Sequence, residues 1–450
     1  ASASLNSQNN AAIENLMSGR FWGNAGSGID INYSFMDSNS LFSNDYNYSG
    51  ATLSRDNVLN PSSAFKAAAV DALELFSSVS LMNFFETEET GNEVGNLRFG
   101  TTATTAMANG AFAWYPYSNW DAAGDSWFNN ASDYYNNATA LKDGTYENAA
   151  ITHEIGHALG LAHTQDANSY GGRTYGNDTT VGSVNNSVPY SIMAYPEYDG
   201  DVMDGKTNIY TLPTTLMIDD IAAIQHLYGV NEQYNSGDNT YTLSSFNDGL
   251  YSSPYGIDYI YASIWDGGGK DTFSWADQST IASIDLTAGS FSCFGNISGP
   301  DDPDLDGYQN NNYFLDGDGI LGIAYNTVIE NAIGGSNIDT LVGNEVANTL
   351  YGGSGTGVKD TLTGNGGADI FVSCVTDANT VLAVADTISD FTNGTDFIGL
   401  EDWTLSDLSW SNVSGGTQIA HKTNNNIMFF LEGIDASLID ETDFIATDFV

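Results

Sequence analysis

Apolar positions recur along this chain with two different periods, and the change of period divides it. Over residues 9–19, Ala11, Ala12, Ile13, Leu16 and Met17 fall on one stripe at helical spacing. Residues 29–35 alternate apolar and polar, the period of a half-buried strand. Helical spacing returns over 63–79, carried by Phe65, Ala68, Val70, Leu73, Leu75 and Phe76. Short strands are expected at 96–100 and 109–116, the second closed by Pro116, which suits a sheet edge. Such an edge either faces solvent or pairs with an extended peptide backbone. Residues 145–159 and 217–228 predict two more helices, the latter stopped by Gly229.

Beyond 231–239 the helical period disappears. The chain turns to Gly, Asp and Asn between short β-like runs, which places a boundary between a 1–233 unit and a 234–450 unit. Trp265–Phe273 opens the second unit. A nine-residue phase then sets in: Gly334–Leu341 is one copy and Gly343–Leu350 a second. A third begins at Gly352 and reaches Asp360-Thr361-Leu362 three residues late, and Gly364–Phe371 is a fourth. In a parallel β-roll the glycines make tight turns, carbonyls and Asp carboxylates hold Ca²⁺ between turns, and the Leu positions fill the core. Candidate calcium ligands are Asp266, Gly268 and Asp271 at the opening and Glu330 ahead of the repeats. Within the repeats they are Gly334, Asp339, Gly343, Asn348, Gly352, Asp360, Gly364 and Asp369. The copies are imperfect, with Asn337 in place of Gly and Asn348 in place of Asp. The acidic run 301–307 reads either as another calcium loop or as a solvated one.

Charge changes the picture. The 57 acidic residues outnumber 10 basic ones, a net charge of −47, so nucleic acid and anionic lipid are excluded as partners. Calcium sites, or a surface suited to salty or calcium-rich surroundings, account for such acidity. No apolar run approaches the roughly 20 residues that span a membrane. Ala1-Ser2-Ala3-Ser4 offers neither an initiator Met nor an apolar signal core, the look of a processed chain. Cys293 and Cys374 are the two cysteines, and their spacing leaves pairing open.

The candidate chemistry sits in one predicted helix. His153 and His157 are four residues apart and project from one face, close enough to share a cation. Glu154 lies about 100° round from His153, beside that cation, where a general base belongs. Gly156 puts no side chain near it. Gly160 can end the helix with a left-handed turn, which lets His163 reach the same ion. Three imidazoles leave one zinc position open, the mark of a catalytic rather than a structural site. Thirty residues on, Met193 stands in Ser191-Ile192-Met193-Ala194-Tyr195, similar to the Met-turn that follows this motif in metzincin peptidases. His226 reads as a surface or packing residue.

The zinc motif, the Met-turn, the helix around Asp219–Gln225 and the calcium repeats occur in one order. Together they resemble the serralysin family of secreted bacterial metalloproteases, over essentially the whole chain. Ile329–Gly335 leading into the repeats also matches, as does Asp386–Phe391 with Gly394, Asp396 and Ile398. Departures are Ala194 for the usual Ser, Pro196 for Trp and Thr164 for Pro, all at the cleft, where they bear on specificity. The resemblance implies an α+β metzincin catalytic domain followed by an all-β domain, a calcium-binding parallel β-roll plus β-sandwich. It implies a monomeric endopeptidase of broad specificity, with one catalytic zinc ion and several calcium ions. Tyr195 would ligate zinc at rest and stabilise the oxyanion, while Met193 forms an apolar floor. It further implies export by a type I secretion apparatus that reads the acidic-then-apolar end 443–450, and a proteinaceous inhibitor as a further partner. The absence of a disulfide framework argues against the astacins. Rival readings are a calcium-dependent adhesion protein with a vestigial zinc site, and a narrow peptidase for one partner.

Overall fold

The computed structural model describes residues 7–43, 57–90, 93–103, 110–117, 120–164, 187–195, 212–246, 260–294, 319–355, 357–374 and 380–449. The acidic run 301–307, Pro196 and Val450 lie outside the described residues. The chain divides into two compact units. The first ends at Tyr234, with Tyr261–Trp265 returning to it; the second takes Asn235–Asn247 and resumes at Asp266.

The first unit opens with helix α1 (Ser7–Leu16) and strand β1 (Ile29–Phe35). The helical pattern over 9–19 stops early because Met17 leaves the helix to bridge Leu161. Strands β2 (Val58–Leu59), β3 (Met82–Glu86), β4 (Leu97–Thr102), β5 (Ala111–Ala113) and β6 (Asp125–Asn129) join β1 in a six-stranded sheet. Its order is β3-β1-β4-β6-β5, with β2 on β4. The central pairings are parallel, and every residue of β4 and β6 is buried, as expected for strands covered on both faces. β4 runs two residues past the expected end because Thr101 and Thr102 pair with Phe128 and Asn129. β5 lies antiparallel at the sheet edge and is shorter than expected. Two charged residues are buried in these strands. Arg98 donates through Nε and Nη2 to the two carboxylate oxygens of Glu89, both at 2.8 Å, and lies 3.8 Å from Asp125.

Helix α2 (Ser63–Val79) starts where the Ser62 hydroxyl accepts the Phe65 N–H. Its Phe65 packs edge-on to Phe128 of β6 and to Tyr135. Helix α3 (Tyr146–Ala158) carries the histidine motif. Thr145 caps its start by accepting the Asn148 N–H, and Glu147 adds negative charge to the first turn. At its end, exposed carbonyls would be left without partners. Trp22 donates its indole N–H to the Ala158 carbonyl at 3.0 Å, and the Tyr228 hydroxyl donates to that of Leu159 at 2.6 Å. Tyr228 closes helix α4 (Ile218–Tyr228), which ends at Gly229 with φ +79°. His226 on α4 is exposed.

The second unit is built of strands. β7 (Thr240–Tyr241) begins it, and β8 (Ile260–Ile264) is the returning segment. Next come β9 (Thr272–Ser274), β10 (Ala282–Asp285), β11 (Phe291–Phe294) and β12 (Gly319–Ile323). The repeats supply β13 (Asn331–Ile333), β14 (Thr340–Val342), β15 (Thr349–Tyr351), β16 (Thr361–Thr363) and β17 (Ile370–Ser373). Then follow β18 (Thr387–Ile388), β19 (Phe397–Leu400), β20 (Leu408–Val413), β21 (Gly416–His421), β22 (Ile427–Glu432) and β23 (Phe444–Ala446). Alternate strands enter opposite sheets. One runs β23-β19-β17-β15-β13-β9-β7, and the other includes β22-β18-β16-β14-β10. Leu341 therefore pairs with Leu362 in one sheet, while Ala332, Leu350 and Phe371 align in the other. All five are fully buried, the rise and return of a parallel β-roll. Phe273 and Phe294 face each other from the two sheets, ring centroids 5.5 Å apart. Cys293 and Cys374 are both free thiols.

Candidate metal centre

Helix α3 presents His153 and His157 on one face. Gly160 then takes φ +106°, and the Gly160 carbonyl accepts the Ser18 N–H at 2.9 Å while Ala162 donates to Leu16 at 2.7 Å. That reversal brings His163 back to the helix, so that one ring nitrogen from each histidine lies within 4.8 Å of the others. The Nε2 atoms of His157 and His163 are 3.0 Å apart, and the Tyr195 hydroxyl is 2.9 Å from His163 Nε2. His153 Nδ1 sits 2.8 Å from the Ile192 carbonyl, and His157 Nδ1 sits 2.8 Å from that of Leu161. A carbonyl only accepts, so both rings carry their proton on Nδ1 and turn a lone pair of Nε2 to the shared space. Burial, then the neighbouring His153 and His163, hold His157 well below the usual imidazole range, against the bond to Leu161. It is therefore neutral, the state that ligates metal. This donor set fits a zinc ion.

Glu154 is 6% exposed, and its Oε2 has no hydrogen-bond partner. Burial pushes its carboxyl up to about 8. It borders a cavity of about 450 Å³ shared with His153, Tyr195, Ala111 of β5 and the small Ala149 and Ala150 of α3. Met193 is fully buried beneath Gly156; a Cβ added there would stand 2.8 Å from the Met193 sulfur. Ser191 and Asp220, which lie in stretches singled out from sequence but were given no role there, hold this turn. Asp220 accepts the Ser191 hydroxyl at 2.6 Å and the Ile192 N–H at 2.8 Å. Their partnership spans 29 residues, and no local pattern signals it.

In the second unit, the Asp side chains ahead of each strand form two ladders. Asp339 accepts the Ala282 N–H at 2.6 Å, Asp360 that of Asp339 at 2.8 Å, and Asp386 that of Asp360 at 3.0 Å. On the other edge, Asp369 accepts from Asn348 at 2.8 Å and Asp396 from Asp369 at 3.1 Å. Asp386 and Asp396 were not among the candidate ligands, though each precedes a short β run as the others do. Gly334, Gly343, Gly352 and Gly364 lie against these side chains, since a Cβ at any of them would come within 2.8 Å of an oxygen of Asp339, Asn348, Asp360 or Asp369. Burial foremost raises Asp339 to about 6 and Asp369 to about 7, backbone N–H groups opposing it in both. The Asn348 turn differs. Its amide donates to the Glu330 carbonyl at 2.9 Å, and Asn344 donates to the carbonyls of Leu286 and Ile329. At the opening of the unit, Asp266 accepts from Gly268 and from the Tyr241 hydroxyl. Asp271 accepts the Asn239 N–H at 2.7 Å, and its own N–H donates to Glu330 at 2.8 Å. Burial, against the Asn239 bond, raises Asp271 to about 6.

A histidine pair on a helix, completed across a glycine turn and floored by methionine on a largely parallel sheet, is the metzincin arrangement. Residues 44–188 match the family described as Matrixin, and residues 308–445 match that described as Peptidase M10 serralysin C terminal. Metallopeptidase AprA of Pseudomonas marginalis is 34% identical over 326 residues, which is 72% of this chain and 61% of that protein. Serralysin C of Dickeya chrysanthemi is 37% identical over 52% of this chain and 43% of its own length. For Serralysin of Photorhabdus luminescens the figures are 32%, 63% and 53%. The chain thus spans between about two fifths and three fifths of the relatives it matches. It belongs to the serralysin family, a matrixin-type domain followed by a serralysin C-terminal domain, and zinc is the metal that membership implies. Among the described residues, no helix is long and apolar enough to cross a membrane.

Proposed function

We propose that this chain is a zinc-dependent endopeptidase that hydrolyses internal peptide bonds of proteins with broad specificity. The observation that carries the reading is the convergence of three histidine nitrogens beside the buried, unpartnered Oε2 of Glu154. His153, His157 and His163 would hold the ion, with Tyr195 as a fourth, exchangeable ligand. The chemistry zinc supplies when held there is Lewis acidity, which polarises a peptide carbonyl and acidifies water. Glu154 takes a proton from the attacking water and returns it to the leaving amine. The Tyr195 hydroxyl donates to the developing oxyanion. An extended substrate adds to the outer edge of β5, which ends its sheet among the described residues and whose Ala111 borders the cavity; backbone pairing of this kind tolerates many side chains. Met193 packs under the site without touching substrate.

The second unit is a calcium-stabilised roll. Its support is the stacking of Asp339, Asp360 and Asp386 on one edge and Asp369 and Asp396 on the other, side chains that repel without a countercharge. Secretion into calcium-rich surroundings fits that need and the net charge of −47. Export by a type I apparatus and control by a proteinaceous inhibitor complete the proposal on family resemblance.

Glu154→Gln tests the enzyme reading. The variant should bind zinc as the parent does and lose about 10²–10⁴ in kcat on casein. Digestion at the parental rate would remove Glu154 as the base.

A further inference from the structure

Behind His153 a run of hydrogen bonds leads away from the cleft to a carboxylate with no solvent exposure. The His153 Nδ1–H donates to the Ile192 carbonyl at 2.8 Å. That carbonyl belongs to the same peptide unit as the Met193 N–H, which donates to Ser191 Oγ at 3.0 Å. Ser191 in turn donates its hydroxyl proton to Asp220 Oδ1 at 2.6 Å. The other oxygen of Asp220 accepts the N–H groups of Ile192 and Met217, at 2.8 and 3.0 Å, so the carboxylate is fixed to both the turn and the start of α4. Ser191 and Asp220 are both 0% exposed.

His157 offers the contrast. Its Nδ1–H donates to the Leu161 carbonyl, and the N–H of that peptide unit, on Ala162, donates to the carbonyl of Leu16 at 2.7 Å. One histidine's relay ends on a neutral carbonyl, the other's on a carboxylate. We infer that Asp220 and Ser191 are positioning residues for His153, acting through the Ile192–Met193 peptide unit to orient the imidazole and strengthen its Nε2 as a donor. The inference rests on the metal-centre reading. Its physical basis is that aligned hydrogen bonds polarise one another, so a peptide whose N–H meets a polarised acceptor offers a more negative carbonyl. A stronger acceptor at Nδ1–H makes the opposite ring nitrogen more basic.

The test uses the full chain with Ser191→Ala and Asp220→Asn, alone and together. Zinc affinity is read by competition with a chromophoric chelator, and imidazole resonances are read by NMR in the metal-free protein. Each variant should weaken zinc binding about 10- to 100-fold. The double variant should lose no more than the larger single, because both residues act in one chain. The His153 Nδ1–H resonance should move upfield while that of His157 stays. Ser191→Ala removes only a hydroxyl and decides the matter if Asp220→Asn does not fold. Zinc affinity within twofold of the parent, or equal movement at His153 and His157, would overturn the inference. A parent chain that binds no zinc would remove the metal-centre reading itself.

Discussion

Gly160→Ala is expected to weaken both the fold of the first unit and its hold on metal. Gly160 sits at φ +106°, a region that residues with a Cβ enter at a cost of about 1–3 kcal/mol. The added methyl would also stand 2.0 Å from the Arg20 carbonyl oxygen and 3.2 Å from its carbon. A backbone oxygen cannot swing aside as a side chain can. This one lies in a segment tied down by Ser18 donating to Gly160 and by the Trp22 indole on Ala158. Overpacking of this kind adds about 1–3 kcal/mol, so the total falls at about 2–6 kcal/mol. That is a large part of the 5–15 kcal/mol typical of a domain. The opposite sign is expected where Gly→Ala is unstrained, since such a change stabilises by about 0.4–1 kcal/mol. Urea unfolding of the metal-free chain, followed by tryptophan fluorescence, measures the stability change. Chelator competition measures zinc affinity, which should fall at least about 10-fold because His163 lies three residues beyond the turn. A loss below about 0.5 kcal/mol with unchanged zinc affinity would refute the reasoning.

Other consequences are as direct. Tyr195→Phe should lower kcat on a peptide substrate about 10²–10³-fold with KM little changed; full activity would leave Tyr195 a packing residue. Burial raises the Glu89 carboxyl, but the paired N–H groups of Arg98 and the hydroxyls of Ser40 and Ser34 outweigh it and hold Glu89 below its usual range. A depressed carboxylate stabilises the fold above its unfolded pKa of about 4.3 and loses that contribution as pH falls through the lower folded value. Glu89→Gln should therefore flatten the acid limb of a stability–pH curve and, by leaving buried Arg98 to the longer pairing with Asp125, destabilise at pH 7 by about 1.5–3 kcal/mol; an unchanged limb contradicts this. Removing calcium from the full chain should reduce its β-type circular dichroism, and titrating millimolar Ca²⁺ back should restore it. A spectrum unmoved by excess chelator would make the roll a metal-independent scaffold.

Much of the fold was legible because its signals are local. The 29–35 strand and the 63–79 helix appear with the bounds their periodicity gives, and the histidine helix stops where Leu159-Gly160 says it must. The alternation of repeat copies between two sheets follows from their nine-residue phase. What escaped is what depends on contacts across the chain. Trp22 and Tyr228 satisfying the end of α3 join residues 136 and 69 positions apart. The rungs at Asp386 and Asp396 were hidden by the long spacer after Ser373, which breaks the phase without breaking the ladder. Asn348, a candidate calcium ligand from sequence, also donates its amide N–H to the Glu330 carbonyl, a partner 18 residues away that no local pattern signals.

That asparagine rung makes the two edges of the roll unlike. A stack of turns, each bonded mainly to its neighbours, behaves as a one-dimensional array in which the first pairing is the hard one. Asp339, Asp360 and Asp386 line one edge with negative charge on each rung, so closing any pair there brings like charges together. On the other edge, Asn344 and Asn348 bind the carbonyls of Leu286, Ile329 and Glu330 through neutral amides. This rung brings no two carboxylates together. It acts as a seed crystal does: a small region whose pairing carries no like-charge cost and which presents the Asn348 N–H to Asp369, where the charged rungs of that edge begin.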